Sequence, residues 1–100
     1  MKLVYLPGTI TDLKWFRTYY TEVFPDGLRR AQKQFRNVER LLRENPRMGH
    51  KTEFPKVREL VIARPPFSII YRLTPERIEV LRIWDNRANP AGISVTAAET

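Results

Sequence analysis

The chain of 100 residues has no cysteine and one histidine, His50. Disulfide staples and thiolate metal sites are therefore excluded, and a single imidazole cannot build a histidine-rich metal centre. Neither a metal nor an organic cofactor is expected. Glycine is scarce, with four residues, and none of them opens a glycine-rich phosphate loop. No apolar run approaches the roughly 20 residues that span a bilayer, and the amino-terminal MKLVYLPGT lacks a long hydrophobic segment. These absences point to a cytoplasmic protein with no membrane partner. The length leaves room for one domain and one core, which excludes a multi-domain enzyme.

What the chain does have is positive charge. Eighteen Lys and Arg against eleven Asp and Glu give a formal charge of +7 and a pI near 10.3. Such a surface attracts nucleic acid, the ribosome or an acidic protein without choosing among them. The excess sits between residues 25 and 56, where nine basic groups meet four acidic ones. The plainer account of these side chains is the solvated face of a helix.

The hydrophobic pattern supplies the elements. Lys2 to Leu6 is a short β-prone run closed by Pro7-Gly8. Thr9 or Thr11 is suited to cap a helix whose Leu13, Phe16, Tyr20 and Val23 recur at spacings of three and four on one face. Phe24-Pro25-Asp26-Gly27 ends it. From Leu28 the pattern Leu28, Ala31, Phe35, Val38, Leu42 predicts a second, longer helix, with Arg29, Arg30, Lys33, Arg36, Arg40 and Arg43 between the apolar positions. The short connection predicts an antiparallel helix hairpin, which needs a sheet to lie on. Asn45 to His50 then forms a loop.

Three β-prone segments follow, Val57–Ala63, Phe67–Leu73 and Ile78–Trp84, with connections short enough for successive antiparallel pairing. The last has apolar residues of both parities, so each of its faces needs an apolar cover. The hairpin is one cover; the other is either a bound partner or more of the same chain. The predicted fold is therefore α+β, in the order β-α-α-β-β-β, with an antiparallel helix hairpin packed on a small, mainly antiparallel sheet. Residues 1–90 form the domain, and the small, polar residues 91–100 are expected to be a flexible tail.

This order, with its basic second helix, resembles the RelE/ParE toxin superfamily of type II toxin–antitoxin systems. Val57-Arg58-Glu59-Leu60 is similar to the family's strand opening after the second helix. Phe67-Ser68-Ile69-Ile70-Tyr71-Arg72 is similar to its central strand, and Ile78-Glu79-Val80-Leu81-Arg82-Ile83 to its last strand. Asn45-Pro46-Arg47-Met48-Gly49 looks like the loop after the second helix. The resemblance implies a growth-inhibiting toxin held inactive by a cognate antitoxin.

The superfamily contains nucleases that cut messenger RNA on the ribosome and ParE-like toxins that inhibit DNA gyrase without catalysis. In the nucleases, two lysines follow the second helix, one arginine lies on the central strand and another near the end of the last strand. Alignment on Phe67–Tyr71 puts Glu59 and Val61 at the lysine positions and Ser68 at the central arginine; only Arg87 matches. The chain also has no histidine or tyrosine after Tyr71. The ParE-like branch, with gyrase as target, is thus the closer resemblance. The alternative is the ribosome-dependent nuclease, whose partners are ribosome and messenger RNA. Its candidate catalytic residues are His50, with Lys51 and Glu53 beside it, Asp85, which Arg82 neighbours in sequence, and Arg87. For target or antitoxin contact the candidates are Arg58, Arg72, Arg82, Trp84 and Arg87, since arginine and tryptophan are enriched at interface hot spots. Their alternative role is ion pairing on the sheet with Glu59, Glu76 and Glu79, and a core tryptophan.

Overall fold

The computed structural model describes residues 1–64 and 66–86. Arg87 and the tail expected at 91–100 lie outside the described residues. Strand β1 is Lys2–Tyr5, helix α1 Thr9–Thr18 and helix α2 Leu28–Glu44. Strand β2 is His50–Lys51, β3 Val57–Ile62, β4 Phe67–Leu73 and β5 Arg77–Asp85. The five strands form one sheet in the order β1-β5-β4-β3-β2. Four strands run antiparallel to their neighbours, as expected, while β1 joins the sheet parallel to β5.

Strand alternation builds the main core. Leu60 and Ile62 of β3, Phe67, Ile69 and Tyr71 of β4, and Ile78, Val80 and Ile83 of β5 face Val38 and Leu42 of α2 and Phe16 of α1. Aromatic rings fill the space between: Phe16 meets Phe67 edge-on at 5.6 Å, and Phe35 stacks on Phe67 at 5.8 Å. The heptad-like pattern of α2 is realised, with Ala31, Val38 and Leu42 buried.

Helix α1 departs from the expectation in two ways. Its N-cap is Gly8 with no side-chain cap bond, so neither Thr9 nor Thr11 caps it. Thr9 instead lies inside the helix, and its buried hydroxyl donates back to the Leu6 carbonyl at 2.7 Å. Gly8 allows a close approach to β5: a Cβ there would stand 3.1 Å from the Leu81 carbonyl oxygen, tighter than ordinary contact. The second departure is a π turn at Tyr19–Val23, closed by the Phe24 N–H donating to the Tyr19 carbonyl at 2.8 Å. The wider turn breaks the α-helical spacing. Tyr20 stays buried, but Val23 swings out to 67 % exposure, and Leu13 is also exposed.

The last strand's two apolar parities are explained by a bulge. Ile70 pairs with Arg82 and Tyr71 with Val80, leaving Leu81 as the extra residue. Leu81 and Arg82 can then both face away from the helices before Ile83 returns to the main core. On that side Leu81, Ile70 and Val57 form a second small core, covered by Leu6, Phe54 and Trp84. The chain itself supplies the second cover.

Candidate functional site

Two surfaces carry chemistry. The first is the sheet face turned away from the helices. Register places Val57, Glu59 and Val61 of β3, Ser68, Ile70 and Arg72 of β4, and Glu79, Arg82 and Trp84 of β5 on it. Glu59, Val61 and Ser68, the positions that align with nuclease cations, thus share one face. Val61 pairs directly with Ser68.

The cations on this face are engaged. Arg72 and Arg77 bracket the buried Glu79 carboxylate at 2.8 and 2.5 Å. Their hydrogen bonds hold the Glu79 carboxyl below its ordinary range, outweighing the opposing effect of burial. Arg82 grips Asp12 of α1 with two bonds of 2.9 Å, and its guanidinium lies 4.5 Å over the Trp84 ring. The Asp12 bond raises the Arg82 pKa further, against desolvation. Asp12 also accepts the Ile83 N–H at 2.9 Å. This bond has a structural cause. β1 pairs with β5 only as far as Val80, and beyond it the bare strand edge is closed by the Asp12 carboxylate.

Arg58 donates to the Gly49 and Arg47 carbonyls at 2.7 and 3.2 Å, so its guanidinium holds the loop before β2 rather than pairing with Glu59. Tyr71 secures the same loop: its hydroxyl accepts the Gly49 N–H and donates to the Pro46 carbonyl. Burial raises the Tyr71 pKa. Gly49 has no room for a side chain, since a Cβ would come within 2.7 Å of the Tyr71 hydroxyl.

The nuclease candidates are not brought together. His50 belongs to β2 rather than to a loop, and its Nε2 lies 3.0 Å from Glu59 Oε1. Asp85 is buried opposite Phe67 at the far end of the sheet. Three strand spacings, about 14 Å, separate the strands that carry them. Arg82 takes Asp12 as its carboxylate, not Asp85. Of the contact candidates, Arg72 keeps 39 % of its side chain exposed and Arg82 only 22 %. Trp84 is half-buried, and its indole N–H has no acceptor among the described residues.

The second surface was not singled out by sequence reasoning. A cavity of about 500 Å³ lies between the two helices, floored by Leu13, Phe16, Tyr20, Leu28, Ala31 and Phe35, with Arg17 and Arg36 among its lining residues. Leu13 and Leu28 are each 37 % exposed, unusual for residues on the apolar stripe of a hairpin. Away from this groove, Trp15 lines a smaller cavity with Ile83 and Trp84, stacks on Tyr19 at 5.2 Å and remains 38 % exposed. The signal was present in the sequence, because both helices have apolar stripes wider than one sheet contact uses.

A helix hairpin on a mixed five-stranded sheet, with an apolar groove between the helices, defines a small α+β domain. The chain belongs to the ParE toxin family: the model of the ParE toxin of the type II toxin–antitoxin system parDE matches residues 3–90. A solved structure titled "Chromosomal ParDE TA system from P. aeruginosa" is similar, with 27% identity and a TM-score of 0.67 over 83% of this chain and 92% of that one. No curated protein matches. Among the described residues there is no helix long and apolar enough to cross a membrane, and no cluster of three or more His, Cys, Asp or Glu side chains placed to hold a metal.

Proposed function

We propose that this chain is a cytoplasmic toxin that a cognate antitoxin neutralises, and that the free toxin arrests growth by inhibiting DNA gyrase without cutting nucleic acid. The family match over residues 3–90 carries the reading. Two features of the surface support its parts.

The groove between α1 and α2 suits an amphipathic segment of the antitoxin. Its apolar floor suits the apolar face of such a segment, and Arg17 and Arg36 suit acidic flanks on it. Absence of the nuclease pattern supports the non-catalytic branch. Glu59, Val61 and Ser68 lie together where the nuclease branch places cations, and none of the three can neutralise a crowded phosphate. Gyrase contact is then assigned to Arg72 and Trp84 of the outer sheet face, together with Arg87, while Arg58 and Arg82 hold the loop before β2 and the strand edge. The toxin domain is assigned to residues 1–90, in line with the family match over 3–90.

The test is induced expression in bacteria with and without the neighbouring small open reading frame, following growth, ribosome-dependent message cleavage and gyrase supercoiling in parallel. The expected result is arrest rescued by the neighbour, supercoiling inhibited and messages intact. Arrest with cleaved messages would overturn the gyrase reading and turn attention to His50 and Glu59. No arrest would remove the toxin activity from this chain.

A further inference from the structure

Apart from Arg36, which also lines the groove, the cations of α2 present a pattern that neither the groove nor the sheet face uses. Arg29, Lys33, Arg36, Arg40 and Arg43 recur at intervals of four, three, four and three residues, and all five are exposed. At about 100° per residue they fall within an arc of about 80°, centred about 150° from the buried face of Ala31, Phe35, Val38 and Leu42. No other residue of α2 projects into that arc. The result is a straight, wholly cationic stripe about 21 Å long. Among the described residues Arg40 is the only one of the five with an ion pair, to Glu44.

A merely solvated helix face mixes the two signs, because like charges three and four residues apart destabilise a helix. Here each of the five cations is three or four residues from the next, and the acidic neighbours Glu39 and Glu44 lie beside the C-terminal part of the stripe, where Glu44 pairs with Arg40. We infer that the stripe is a docking surface for duplex DNA, read through its phosphate backbone. The arc contains no apolar or aromatic side chain. It therefore lacks the anchors of a protein interface and the stacking platforms that hold single strands. The amides that border it are turned to other work: Asn37 Oδ1 accepts from Arg40 at 2.8 Å and Gln32 lines the α1–α2 groove, so neither is placed to accept from a ribose 2′-hydroxyl, a contact that favours RNA duplexes. A dense line of phosphates is the complement that remains, and Arg and Lys meet it without regard to sequence. Except for Arg36 at the rim, the stripe lies outside the α1–α2 groove, so the inference does not depend on which target the toxin has.

The experiment titrates the full chain into a fluorescently labelled 20-base-pair duplex of mixed sequence across a series of salt concentrations. With five phosphate contacts, log affinity should fall against log salt with a slope of about −4.5. The triple variant Arg29→Gln, Lys33→Gln, Arg40→Gln should reduce the steepness by about 2.7 and weaken binding at least about tenfold near 100 mM salt. Glutamine keeps helix propensity, and an unchanged circular dichroism melt verifies the fold. A matched variant, Lys2→Gln, Lys14→Gln, Arg64→Gln, removes the same charge elsewhere from exposed sites. Binding that survives it but not the stripe variant supports the inference. Equal losses in both would reduce the effect to net charge and overturn it. Tighter binding to duplex RNA, or to polyglutamate, through the same residues would replace DNA with that partner. No binding by the unmodified chain at 50 mM salt would also overturn it.

Discussion

On the sheet, Arg58, Arg72, Arg77 and Arg82 each reach an acceptor within the chain, whereas on α2 only Arg40 of the outward stripe has an acidic partner among the described residues. The difference follows from geometry. Strands place side chains about 5 Å apart across a ladder, so a cation on a sheet meets a neighbour whether or not function requires it. A cation on the outer arc of a helix meets solvent, and fixing its long side chain costs rotamer entropy with little return. Arginines that look alike in the sequence therefore divide into those that hold the fold and those available to bind something else.

The contrast predicts the largest stability effect at a residue that is not basic. Asp12→Ala removes both the Arg82 partner and the acceptor of the Ile83 N–H, and should cost about 3 kcal/mol. Urea unfolding of the variant measures it, and Asp12→Asn, which can still accept from Ile83, should lose less. Next comes the groove. Leu28→Glu puts a charge on the apolar floor and should weaken antitoxin binding about 100-fold while growth arrest persists, because the substitution lies far from the outer sheet face. Co-expression rescue and calorimetry with the purified antitoxin read this directly, and unimpaired rescue would exclude the groove.

A smaller effect is expected from acid. Because Glu79 titrates lower in the fold than in the unfolded chain, its ion pairs stabilise fully above the ordinary value of 4.5, and that contribution is lost as pH falls through the lowered folded value. Urea midpoints between pH 7 and 2 should decline over this range, and Glu79→Gln should be less stable at neutral pH with a flatter acid limb. The smallest effects should come from two exposed sites. Lys56 adopts a left-handed backbone conformation, φ 64°, in the turn before β3, so Lys56→Gly should stabilise by up to about 1 kcal/mol. Arg40→Ala, losing one exposed pair, should change stability by less than about 0.5 kcal/mol. A loss of several kcal/mol there would break the distinction between sheet and helix cations.

Legibility in the sequence followed the range of the interaction. The apolar spacing of α2 and the alternation of β3 to β5 are local properties of a helix or strand backbone, and they were visible without coordinates. So was the poor match of Glu59, Val61 and Ser68 to a nuclease, although only the register brought all three onto one face. Strand β2 was not legible, because two residues carry no period. The π turn was not legible either, since Tyr19–Val23 has ordinary helix spacing and the extra width appears only when Tyr20 packs.

Asp12 was the most consequential omission. Its partners, Arg82 and Ile83, lie 70 and 71 residues away, and nothing near Asp12 in the chain signals them. The sequence by itself determined α2, the strands β3 to β5, their apolar faces and the cationic stripe, because each depends on backbone periods that repeat within a few residues. Tertiary structure decided which arginines are held and which remain open. That choice depends on where β1 stops along β5, on the bulge at Leu81 and on the edge Asp12 closes, all of which exist only once distant segments have met.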